Sequence, residues 1–107
     1  MAEPLDVLVF YVPVDDTQAV LSALFAVGAG NVGEYEHCAF VAEGTGQFRP
    51  IGDANPTIGT VGELEFVTEH RVELTFPRAL RERVVETLID AHPYEEPAFH
   101  VVHNVAS

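Results

Sequence analysis

The residue types best suited to chemistry in this chain are concentrated in one short segment, Ala91-His92-Pro93-Tyr94-Glu95-Glu96-Pro97. An imidazole, a phenol and two carboxylates are held between prolines that fix the backbone around them. Imidazole and carboxylate are good ligands for Zn²⁺ and similar ions, and paired carboxylates can act as acid and base. The same residues also suit a rigid helix-to-strand connector, because the prolines account for the stiffness without any ligand.

A second candidate is Glu43-Gly44-Thr45-Gly46-Gln47-Phe48-Arg49-Pro50, followed by Ala54-Asn55-Pro56-Thr57-Ile58-Gly59. Flexible glycines could let backbone N–H groups curl around an anion, and Arg49 could pair with a carboxylate or phosphate. Arg49 is the only basic residue before Arg71. Thr45, Gly46, Arg49 and Asn55 are therefore the candidate ligand-binding residues. A solvated loop with Arg49 paired to a nearby acid such as Glu43 is the plain alternative.

The five histidines, His37, His70, His92, His100 and His103, are many for 107 residues. His37 adjoins Cys38, and neighbours on a strand face opposite sides. No H-x-H or H-E-x-x-H pair occurs. A site for Zn²⁺ or Cu²⁺ would draw on His37, His92, Glu95 and Glu96, brought together by the fold or across subunits. The lone Cys38 reads as a small hydrophobe. Gly28-Ala29-Gly30-Asn31-Val32-Gly33 fits G-x-G-x-x-G, but it follows a helical pattern and precedes a strand. A dinucleotide site needs the reverse order.

Net charge is −12, with 17 acidic residues against five arginines and no lysine. That field disfavours nucleic acid and anionic membranes and favours cations or basic partners. One cysteine excludes an internal disulfide framework. The N-terminus lacks a basic n-region and the chain has no long apolar run, so a cytoplasmic protein is expected. The length suits a single domain over residues 1–107.

These candidates must be positioned by the elements around them. Leu5 to Val14 is rich in Val and aromatics and predicts a strand. Asp15, Asp16 and Thr17 offer helix-start chemistry, and Val20, Leu21, Leu24 and Phe25 recur at helical spacing up to Gly28. Gly33 to Ala42 predicts a second strand. Residues 43–62, interrupted by five glycines, Pro50 and Pro56, predict a long irregular loop. A short extra strand is expected over 61–66 and a better one over 69–76. Pro77 opens a second helix bearing Leu80, Val84, Val85, Leu88 and Ile89, and a last strand covers 98–105.

A shift of 64 positions superimposes the two halves: Val12-Pro13 falls on Phe76-Pro77, and Val20, Leu21, Leu24 and Phe25 fall on Val84, Val85, Leu88 and Ile89. Two successive βαβ units describe the ferredoxin-like α+β fold, βαββαβ. In the first strand Val7, Val9 and Tyr11 alternate with Leu8, Phe10 and Val12, so both sheet faces are apolar there. Helices cover only one face, and the simplest cover for the other is a second copy of the chain, the alternative being that the long loop folds back over it.

The segments His37-Cys-Ala-Phe40, Glu43 to Pro50, Ala54 to Gly59 and Ala91 to Pro97, in this order, resemble the YqfO family. Its PII/CutA-like domain occurs as an insert in the dinuclear-metal-centre proteins related to NGG-interacting factor three, and as a short standalone protein. The resemblance spans about Val7 to Val102. The His92-Pro-Tyr-Glu segment is also similar to the signature of CutA, although Glu96 stands where CutA usually has a small or apolar residue. The resemblance implies a trimerising PII/CutA-like fold, a trimer being favoured over a dimer. It also implies that the glycine-rich segment occupies the place of the PII sensing loop. In two-domain relatives the dinuclear metal ligands lie in the flanking domain, so a GTP cyclohydrolase-like label does not transfer.

The expected function is a non-enzymatic oligomeric module that binds a small ligand or divalent metal and regulates or caps a partner. One alternative is a small enzyme at a subunit cleft, with Glu95 or Glu96 as base and His37 or His92 as acid. The other is a purely structural oligomer.

Overall fold

The computed structural model describes residues 3–106. The elements run β1 (Leu5–Pro13), α1 (Thr17–Ala26), β2 (Phe40–Phe48), β3 (Glu65–Pro77), α2 (Arg81–Ala91) and β4 (Phe99–Val102), and a three-residue 3₁₀ turn leads into each helix. The strands form one antiparallel sheet in the order β2-β3-β1-β4. This is the ferredoxin-like arrangement, and the internal repeat holds through the strand ends and into the helices. Pro13 and Pro77 each end a strand, and the 3₁₀ turns at Val14–Asp16 and Arg78–Leu80 are 64 positions apart. Proline fits there because its fixed φ suits a helix approach while its missing N–H ends the ladder.

Alternation along β1 sends Leu8, Phe10 and Val12 toward the helices. They pack with Val72, Leu74 and Phe76 of β3, Val20, Leu21 and Leu24 of α1, and Val84 and Leu88 of α2. Ile89, expected on the same apolar face of α2, is largely exposed. Phe10 and Phe76 are the largest fully buried side chains, and truncating either to alanine costs about 3–5 kcal/mol. On the other face Val9 is only 2% exposed, while Phe40 and Val102 at its rims are 64% and 46% exposed. Arg71 lies over the Tyr11 ring at 5.8 Å and pairs with Glu73 at 3.0 Å.

A partly buried ion pair ties the start of β1 to the entry of α2. Arg78 grips Asp6 through Nε–Oδ2 at 3.0 Å and Nη2–Oδ1 at 2.8 Å. The Asn104 backbone N–H adds a third bond to Oδ1 at 3.0 Å. Hydrogen bonds from Arg78 and from the Asn104 backbone hold the Asp6 carboxyl down at about 2.

Three expectations are corrected. The second strand is Phe40–Phe48, not 33–42, and residues 33–39 form an irregular connection. The first third of the expected loop, including Thr45 and Gly46, is therefore strand, paired with Thr68 and Val67. Glycine weakens the sequence signal for a strand, but the partner strand supplies the pairing. The expected strands over 61–66 and 69–76 are one, Glu65–Pro77, long enough to pair with both β1 and β2. The last strand stops at Val102. The 28–33 glycines form the α1-to-β2 turn as expected: Gly30 has φ +84, donates to the Thr75 carbonyl at 2.8 Å, and has no room for a Cβ against Phe25.

Candidate functional site

The irregular segment that remains, residues 49–64, folds back on the 92–98 turn. Its neck is closed where the Gly62 N–H donates to the Pro50 carbonyl at 2.7 Å and Arg49 Nε donates to the Gly62 carbonyl at 3.0 Å. Gly62 has φ +87, a left-handed conformation that a side chain would oppose. Two bonds then clasp the loop to the turn: Asn55 N–H to Glu95 Oε2 at 2.9 Å, and Thr57 Oγ1 to the Pro93 carbonyl at 2.8 Å. Between loop, turn and the ends of β1 and β2 lies a cavity of about 360 Å³. Phe48, Pro50, Ile51 and Ile58 supply apolar wall, and Arg49, Glu69, Tyr94, Glu95 and Glu96 supply the polar groups. This matches the usual make-up of a ligand pocket, apolar walls with a few placed polar groups.

Tyr94 sits at the centre of this arrangement. Its ring lies 6.0 Å from Phe48 and 5.1 Å from His92. Its hydroxyl is shielded from solvent, and the acceptor beside it is the Glu69 carboxylate, outside close hydrogen-bond geometry. Burial, reinforced by the nearby Glu69 carboxylate, pushes the phenol up to about 12. Glu69 comes from β3, and its carboxylate lies across Gly46 of β2, where a Cβ would collide with it.

Each predicted residue has a definite place. Arg49, Glu95 and Glu96 line the cavity. Asn55 contributes its backbone N–H to the clasp. Gly46 acts by making room for Glu69, and Thr45 is a β2 residue outside the cavity lining. His92 is 6% exposed and bonded at both nitrogens: Nδ1 accepts from the Tyr94 N–H at 3.1 Å, and Nε2 donates to the Tyr11 carbonyl at 2.6 Å. A metal on Nδ1 would have to displace the Tyr94 amide. His37 lies outside the cavity, stacked on Phe25 with ring centroids 4.6 Å apart. Among the described residues no group of three or more His, Cys, Asp or Glu side chains converges as a metal site. Among the described residues of one chain, His37 and His92 are therefore not gathered with Glu95 and Glu96 into one cluster. Sequence reasoning missed Glu69, Tyr94 and Phe48 as site residues. The one signal for Glu69 is an acid on a strand whose neighbour carries Gly44 and Gly46.

No family model matches the chain. The chain is 48% identical over 99 residues to the Bacillus subtilis protein named GTP cyclohydrolase 1 type 2 homolog, an alignment covering 92% of this chain and 26% of that protein. With the protein of the same name from Mycobacterium tuberculosis it shares 47% identity over 100 residues, covering 94% and 26%. These are homologues of one segment. The chain spans about a quarter of the length of these curated relatives. The solved Bacillus cereus protein related to NIF3 superimposes with a TM-score of 0.80 at 39% identity, over 98% of this chain and 27% of that one. CutA1 from Pyrococcus horikoshii superimposes with a TM-score of 0.68 at 18% identity, over 94% of this chain and 83% of that one. The fold is therefore CutA-like. No helix among the described residues is long and apolar enough to cross a membrane.

Proposed function

We propose that this chain is a YqfO-type PII/CutA-like binding module that holds a small ligand in the loop-and-turn cavity, performs no chemistry itself, and regulates or caps a partner as a homo-oligomer. The carrying observation is the cavity, roofed by a loop that is bonded to the 92–98 turn at Asn55 and Thr57. A binding role is favoured over the enzymatic one because His92 is engaged at both nitrogens and His37 lies elsewhere. A trimer is favoured by the CutA-like fold. Exposed Phe40, Val41, Leu64 and Phe66 on and beside the β2–β3 arm supply apolar surface for it.

A divalent ion, Zn²⁺ or Cu²⁺, at Glu95 and Glu96 would need further donors from a neighbouring chain. The GTP-directed activity in the names of the longer relatives is not proposed for this segment, whose cavity bears three carboxylates and one arginine. Native mass spectrometry with and without Zn²⁺, Cu²⁺ and GTP tests the reading. A trimer that retains a small molecule supports it, and a bare monomer under every condition overturns it.

A further inference from the structure

We propose that the cavity accepts a small organic cation, with ammonium or guanidinium N–H groups shared among Glu69, Glu95 and Glu96 and an apolar body against Phe48, Ile51 and Ile58. This rests on the reading of the cavity as a binding site and adds the ligand's chemical class.

Three observations select that class. The first is charge. Three carboxylates and one arginine line the cavity, and the Arg49 Nε is already engaged with the Gly62 carbonyl in the loop neck. An anion would enter a lining of its own sign, on a chain whose net charge is −12.

The second is dispersion of the donors. A bare divalent ion needs oxygen ligands converging to about 2.0–2.6 Å, and no such group of three occurs among the described residues. Carboxylates spread around about 360 Å³ of space instead match a molecule whose N–H donors are themselves spread apart.

The third is the polar floor. Glu69 is held over Gly46 beside the buried Tyr94 hydroxyl, which its carboxylate approaches without close hydrogen-bond geometry. An N–H donor entering between Glu69 and Tyr94 would satisfy that oxygen. Phosphate or another acceptor-only group would add a further negative charge beside Glu69.

Amide chemical-shift mapping on the full ¹⁵N-labelled chain tests this, with agmatine and spermidine as cations and inorganic phosphate, GTP and Zn²⁺ as competitors in class. The expected result is saturable movement of the Phe48, Asn55, Tyr94 and Glu95 amides by an amine and none by phosphate or GTP. Glu69→Gln and Glu95→Gln should each weaken the amine about tenfold, the loss of one charge-assisted bond. Glu95→Gln keeps an acceptor for Asn55 and serves if Glu69→Gln does not fold. Phosphate, GTP or Zn²⁺ moving these amides while the amines do not would overturn the ligand class and leave the cavity as a site. Amine shifts scattered over the acidic surface without saturation would overturn the proposal. So would silence from every probe, and soaking a neutral fragment library then tells whether the cavity binds anything at all.

Discussion

The backbone N–H of Asn55 donates to Glu95 Oε2 at 2.9 Å across forty positions of sequence. That bond joins the two segments whose composition first suggested a function, and it makes them walls of one cavity rather than two separate sites. The loop is therefore held by few contacts, of a kind that open locally at low free energy.

Glu95→Ala should release this clasp. Hydrogen exchange at the Asn55 amide is expected to speed up several-fold, an opening cost lower by about 1 kcal/mol for an exposed bond to a charged acceptor. Glu95→Gln should restore most of the protection. Equal exchange in both variants would show that Glu95 does not hold the loop.

Gly46→Ala should move Glu69 rather than unfold the sheet. The added Cβ collides with the far end of a flexible side chain, so the melting midpoint should change little, by about 1 kcal/mol or less. Displacing the carboxylate should lower the Tyr94 phenol from about 12. An unaltered Tyr94 titration in this variant would contradict the contact.

In an alkaline ultraviolet titration one tyrosine should ionise near pH 12, and that phase should vanish in Tyr94→Phe. Because the folded phenol resists ionisation more than the unfolded one, native stability should fall as pH rises from about 10 toward 12. Tyr94→Phe should flatten that decline, because it removes the ionising group.

The acid limb should report Asp6. Its carboxyl is held at about 2 against an ordinary value of 3.8. Its contribution is complete above the ordinary value and lost as pH falls through about 2. Asp6→Asn should lower stability at neutral pH and remove this part of the acid dependence. An unchanged acid limb in urea titrations would remove Asp6 as its source.

The fold was readable because its determinants are local and repeated: Val12-Pro13 and Phe76-Pro77 end strands, and helical apolar spacing follows each. The boundary of β2 was not. Gly44, Thr45 and Gly46 carry weak strand propensity, and they are strand because β3 extends far enough to pair with them. Arg49, Glu95 and Glu96 stood out by type and spacing. Glu69 did not, and the Tyr94 phenol stood out only as part of the turn, since a shielded hydroxyl beside a carboxylate that lies over a glycine exists only once the turn, β3 and β2 meet. His92 shows the converse. Its chemistry suggested a ligand, and packing gave both nitrogens backbone partners.

A crystallographic fragment screen on the full chain tests the central claim most directly, because it works whatever the natural ligand is. Fragments, amines foremost, are expected between Phe48, Tyr94 and Glu95 under the 49–64 loop. Fragments bound elsewhere on the molecule, with this cavity empty throughout, would contradict it.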